Sequence, residues 1–117
     1  RALEIATRQL ARLEQDYLVG SETVLETLRT IARLTQPTDP RAALATYEEV
    51  LRRREREQGP RDRHVQYDRL DVARALELAG EPDRSLEMYE QVLEVVRQHR
   101  TTDPEFYEQI AYDVGRL

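Results

Sequence analysis

Residues 71–93, DVARALELAGEPDRSLEMYEQVL, decide the reading of this chain. Val72, Ala73 and Leu76 recur at helical spacing and run into Gly80, where a residue able to adopt positive φ favours a helix C-terminus. Glu81 and Pro82 follow, and proline in a first turn forgoes only an N–H that has no partner there. Leu86, Tyr89, Val92 and Leu93 then mark a second apolar face, so the stretch predicts a helical hairpin.

The same pattern extends to both sides. Residues 2–18 place Leu3, Ala6, Leu10, Leu13 and Tyr17 on one helical face, with Gly20 ending that segment and Ser21 capping the next. A second helix presents Val24, Leu28, Ile31 and Leu34 and stops before Pro37. Asp39 and Pro40 open a third, with Leu44, Tyr47, Val50 and Leu51 inward, running through RRRERE to Gly59. A fourth begins near Asp62 and carries Val65, Leu70, Val72, Ala73 and Leu76. The fifth adds Val96 to its face; Asp103 and Pro104 open a sixth, with Phe106 or Tyr107, Ile110, Val114 and Leu117 inward. No alternating apolar run lasts long enough to predict a strand.

Composition narrows the function classes. Charged residues make up 35% of the 117, and the net charge of −5 is spread along the chain, which disfavours general attraction to nucleic acid. Without cysteine there is no disulfide framework, thiol nucleophile or thiolate metal site, in keeping with a cytoplasmic setting. No apolar run reaches the roughly 18 residues of a membrane span, and no signal peptide is present. All 18 basic residues are arginine and asparagine is absent too, the pattern of a GC-rich, bacterial genome. Beginning at Arg1 already in helical pattern, the sequence reads as a segment of a larger protein.

Self-similarity separates a bundle from a stacked array. Shifted by 42, residues 39–58 overlay 81–100 with six of twenty identical: Pro40 on Pro82, Leu44 on Leu86, Tyr47 on Tyr89, Glu48 on Glu90, Val50 on Val92 and Leu51 on Leu93. The same shift carries DVAR at 71–74 onto DVGR at 113–116. The arrangement of Val72, Ala73, Leu76, Gly80, Ser85, Tyr89 and Val92 resembles the signature of a tetratricopeptide repeat, in the long-helix variety found in kinesin light chains and bacterial regulatory proteins. Ser85 in place of the usual alanine and Ala73 in place of glycine depart from it. The resemblance implies an all-α, right-handed solenoid of antiparallel hairpins, about six helices forming one array: 2–18 the second helix of a preceding repeat, 21–58 and 62–100 full repeats, and 104–117 the first helix of a following one. A lone hairpin cannot bury its apolar face, so neighbours must stack.

In such arrays the first helix of each hairpin lines a groove. Carried position by position, the resemblance assigns Leu25, Arg29 and Ala32, then Tyr67, Asp71 and Arg74, then Gln109, Tyr112, Asp113 and Arg116 to a partner-binding groove. The repeated Asp and Arg three apart form either a plain intrahelical pair or an arginine ladder held for a peptide carboxylate. The equivalence of Tyr47 and Tyr89 marks them as packing anchors, and Ser85 as a small packing residue. The arginine run at 52–56 interleaves with acids and reads as a solvated helix end. His64 near Asp62 and Asp68 lacks the second imidazole of a convincing metal site.

Neither an acid–base pair, a nucleophile motif nor a phosphate loop stands out. The sequence thus predicts a protein-binding or peptide-binding scaffold in a signalling or regulatory protein, with no cofactor, metal, nucleic acid or membrane partner and no catalysis. The alternative is self-association through open helical ends.

Overall fold

The computed structural model describes residues 1–16, 22–99 and 102–115, without the side chains at 14–16 and 113. The described residues form six α-helices and no strand: α1 (Ala2–Asp16), α2 (Glu22–Thr35), α3 (Pro40–Gln58), α4 (Arg63–Leu78), α5 (Pro82–Gln98) and α6 (Pro104–Gly115).

Local chemistry sets the boundaries. Asp39 accepts a hydrogen bond from the Ala42 N–H, Asp62 from those of His64 and Val65, and Asp103 from that of Phe106. Each side chain thereby satisfies donors that have no partner within the helix. Gly80 has φ 81°, and Glu81 N–H reaches back to Leu76 O at 2.8 Å while Gly80 N–H meets Glu77 O at 3.0 Å. These paired backward bonds close α4 and turn the chain into α5. The expected boundary at Gly20, the cap at Ser21 and the contact at Tyr17 lie outside the described residues.

The helices pack in chain order, each principally against its immediate neighbours. The molecule measures 42 × 31 × 20 Å, its thinnest dimension matching two layers of helices about 10 Å across. Its apolar interior is divided into three clusters in a row. One joins Val24, Leu25 and Leu28 to Val50, with Leu10 and Leu13 against it. The second centres on Leu44, Tyr47, Leu51, Val65, Val72 and Leu76, and the third on Leu70, Val92, Val96, Phe106 and Ile110.

Ion pairs link helices two apart in the chain. Arg29 on α2 meets Asp71 on α4, Arg41 on α3 meets Glu81 at the start of α5 at 3.0 Å, and Arg63 on α4 meets Asp103 at the start of α6 at 2.5 Å. The sequence separations of the last two are both 40.

Some expected faces turn out differently. Leu25 and Ala32 are buried and line no groove, because α2 is covered by both α1 and α3 and its apolar stripe widens. Ile31 and Leu34 are only half-buried at its margin. Leu86 is 58% exposed, whereas its counterpart Leu44 is 5% exposed. Leu44 clusters with Leu76 and Met88. Leu3 is also exposed, while Phe106 rather than Tyr107 takes the fully buried position on α6.

Candidate functional site

Asp71 is the hub of a recess of about 460 Å³ bordered by Glu26, Arg29, Thr30, Arg33, Gln36, Tyr47, Asp71 and Arg74. Helix α4 supplies Asp71 and Arg74 one turn apart, α2 supplies the acid and arginines opposite, and α3 closes the floor with Tyr47. Asp71 Oδ2 accepts from Arg29 Nε at 3.1 Å and lies 2.9 Å from its second terminal nitrogen. Arg74 stands 3.7 Å from the other carboxylate oxygen, and Arg29 also meets Glu26 at 3.2 Å.

Electrostatics follow from this geometry. Burial raises the Asp71 pKa above the usual carboxylate range, although Arg29 and Arg74 pull against it. Burial works against the Arg29 cation, yet Asp71 and Glu26 outweigh it and raise its pKa. Burial, and then Asp71, push the Tyr47 hydroxyl upward, so it stays protonated as a neutral donor. Arg33 is exposed and makes no ion pair among the described residues. The recess thus offers one uncommitted guanidinium, Arg33, beside the loosely held Arg74.

Of the groove residues expected from sequence, the structure brings Arg29, Asp71 and Arg74 together. Tyr67 and Gln109 belong to a smaller recess between α4 and α6, with Arg63, Glu105 and Phe106. There Tyr67 meets Phe106 edge-on at 6.4 Å between ring centroids, and Arg63 covers the same ring at 4.9 Å. Tyr112 is largely exposed, beside Glu105, Glu108 and Gln109 in a shallow depression. The Asp113 side chain and Arg116 lie outside the described residues. Tyr47 is both the expected packing anchor and a border of the recess, a role the sequence reading did not give it.

The arginine run holds the largest departure. Arg54 is 1% exposed, not part of a solvated helix end. Its Nε donates to Asp68, itself 2% exposed, at 2.5 Å, and another nitrogen donates to Glu22 at 2.6 Å. Glu26 lies 3.7 Å away, which joins this buried pair to the recess through a residue they share. Helical spacing carries the signal: Arg54 stands four residues after Val50 and seven after Tyr47, on the core stripe of α3. Asp68 occupies the equivalent stripe of α4, between Val65 and Val72.

The remaining candidates resolve locally. Asp62 caps α4 and Asp68 is held by Arg54, leaving His64 exposed at the helix start. No group of metal-ligating side chains occurs among the described residues. Ser85 packs between α4 and α5 as expected, and its hydroxyl donates to Ala73 O at 2.8 Å. No described helix is long and apolar enough to cross a membrane.

No protein-family model matches the chain, and no curated protein does either.

Proposed function

We propose that this chain is a tetratricopeptide-like stack of helical hairpins that binds a peptide or partner domain of another protein. The recess between α2 and α4 carries the reading: Arg33 makes no ion pair among the described residues, and Arg74 is weakly engaged beside a half-buried Asp71 that fixes their surroundings. An Arg29 already neutralised by Asp71 positions the wall, and the two freer guanidiniums take a carboxylate. The stacked, solenoid character is supported by the 42-residue repeat, the row of three core clusters and the ties between helices two apart. The reading includes a cytoplasmic regulatory or signalling protein of bacterial origin, supported by composition and resemblance alone, and a module that performs no chemistry of its own.

The test is a peptide array carrying free-carboxylate and amidated forms of each peptide, followed by titration of the strongest ligands. Binding should favour the carboxylate form and fall at least tenfold in Arg33→Ala plus Arg74→Ala. Ligands indifferent to both changes would place recognition elsewhere.

A second reading, self-association, rests on exposed Ile5 on α1, Leu78 on α4 and Leu86 on α5. Light scattering over a concentration series separates the two, because a monomer at all concentrations sinks self-association.

A further inference from the structure

The Asp71 recess and the buried Arg54 and Asp68 pair belong to one charge cluster. Arg54 on α3 donates to Asp68 on α4 at 2.5 Å and to Glu22 on α2 at 2.6 Å, and stands 3.7 Å from Glu26. Glu26 lies 3.2 Å from Arg29, Arg29 2.9 Å from Asp71, and Asp71 3.7 Å from Arg74. Among the described residues, four carboxylates thus share three guanidiniums in a continuous chain. With every group ionised, the chain carries one negative charge in excess. Asp68 is the acid least suited to hold it, being 2% exposed and held by an arginine divided among three carboxylates.

The elements around Asp68 bring the following charges. Helix α2 supplies Glu22, Glu26 and Arg29, α3 supplies Arg54, and α4 itself adds Asp71. Arg69, next along α4, is engaged separately: it donates to Gln66 at 3.1 Å and lies 3.6 Å from Glu55. Gln66, fully buried, donates in turn to Pro60 O at 2.8 Å and Asp62 O at 3.0 Å. On α5, Arg84 pairs with Glu81 and Glu48 and Arg97 with Glu94, while Glu87 and Glu90 border a different recess.

Burial pushes the Asp68 pKa up to about 6, so between pH 7 and 5 the proton that relieves the excess charge comes to rest there. Burial raises Asp71 as well, against the pull of the two guanidiniums that flank it. Asp68 acts electrostatically on Arg29, a wall of the recess, and so lies within reach of any charge that enters it. A carboxylate docking at Arg33 and Arg74 returns a negative charge to the cluster, and a like charge favours the protonated form of a buried acid. By linkage the proton favours the carboxylate to the same degree.

Resting on the carboxylate reading of that recess, we propose that its binding is proton-linked: one proton taken from solvent by Asp68 strengthens the hold of Arg33 and Arg74 on a ligand carboxylate. Affinity climbs as pH falls through the Asp68 titration and is lost as pH rises again.

The probe is acetyl-trialanine with a free C-terminal carboxylate, beside its amide, titrated against the full chain by NMR at low ionic strength between pH 8 and pH 5. Its own carboxylate, with a pKa of about 3.5, stays ionised throughout. Wild type should bind it about fivefold tighter at pH 5 than at pH 8. Asp68→Asn, neutral at both values, should bind at the tighter level at both. His64→Gln plus His99→Gln, which removes both imidazoles of the chain, should keep the wild-type dependence. Saturating probe should move the Asp68 carboxyl NMR midpoint upward. Equal affinity at pH 5 and pH 8 in wild type, a dependence that survives in Asp68→Asn or vanishes with the histidines, or an unmoved Asp68 midpoint would overturn the proton link and leave the carboxylate reading standing. Failure to distinguish the carboxylate from the amide at either pH would overturn that reading, and the proton link with it.

Discussion

Arg29 and Asp71 are 42 residues apart in sequence and 2.9 Å apart in space. The separation equals the 42-residue shift of the sequence self-similarity, so the pair joins equivalent positions on α2 and α4. Opposite charges one period apart therefore become a contact between hairpins, where identical charges would repel.

A double-mutant cycle measures that contact. Arg29→Ala and Asp71→Ala should each destabilise the chain, with a coupling of about 1 kcal/mol in urea denaturation, because the pair is partly buried yet still reached by solvent. Zero coupling would mean that apolar packing alone sets the stacking of α2 on α4.

The Arg54 and Asp68 pair predicts an asymmetric result. Arg54→Met leaves a carboxylate buried and unpaired and should cost about 3 to 5 kcal/mol at pH 7. Asp68→Asn should cost less, because Glu22 and Glu26 still face the guanidinium. Equal losses from the two variants would contradict this arrangement.

How Asp68 titrates tests the same cluster. Burial pushes its pKa up to about 6, against the pull of Arg54 and Arg29, with Asp71 adding a smaller upward push. Folded chains therefore bind a proton near pH 6 that unfolded chains bind only near the ordinary aspartate value of about 3.9. Lowering the pH through this window should stabilise the wild type relative to Asp68→Asn, by on the order of 1 to 3 kcal/mol, with the gain lost as pH rises through 6. Carboxyl NMR should place the Asp68 midpoint near 6 and higher still in Arg54→Met.

Helix limits were legible in the sequence because Asp39, Asp62, Gly80 and Asp103 act locally, through a cap or a positive φ, wherever the rest of the chain lies. Packing faces were legible only in part. Periodicity finds a stripe but not its width, so Leu25 and Ala32 passed for groove residues although both are buried. Arg54 and Asp68 fall on core stripes, and two opposite charges there could have been read as partners. Gln66 and Arg69 offered no such signal: one period earlier stand Val24 and Thr27, so the repeat gives no template for a polar clasp. In the Asp71 recess, sequence equivalence found Arg29, Asp71 and Arg74, while Tyr47 arrives from a second helix whose register depends on tertiary packing.

Leu44 and Leu86 occupy equivalent positions with unequal surroundings. Leu44→Ala should cost about 2 to 5 kcal/mol through the cavity it leaves, and Leu86→Ala within about 0.5 kcal/mol. Thermal denaturation of the two variants gives the comparison directly. A large loss at Leu86 would mean that this side chain is covered in solution.

The three core clusters lie in a row, with no single centre on which every helix depends. Opening one end exposes that end's cluster and leaves the next closed. Amide exchange should accordingly grade along the chain, slowest around α3 and α4. Under tension applied at its termini, the molecule would give way hairpin by hairpin in successive steps, paying out length as a ratchet does.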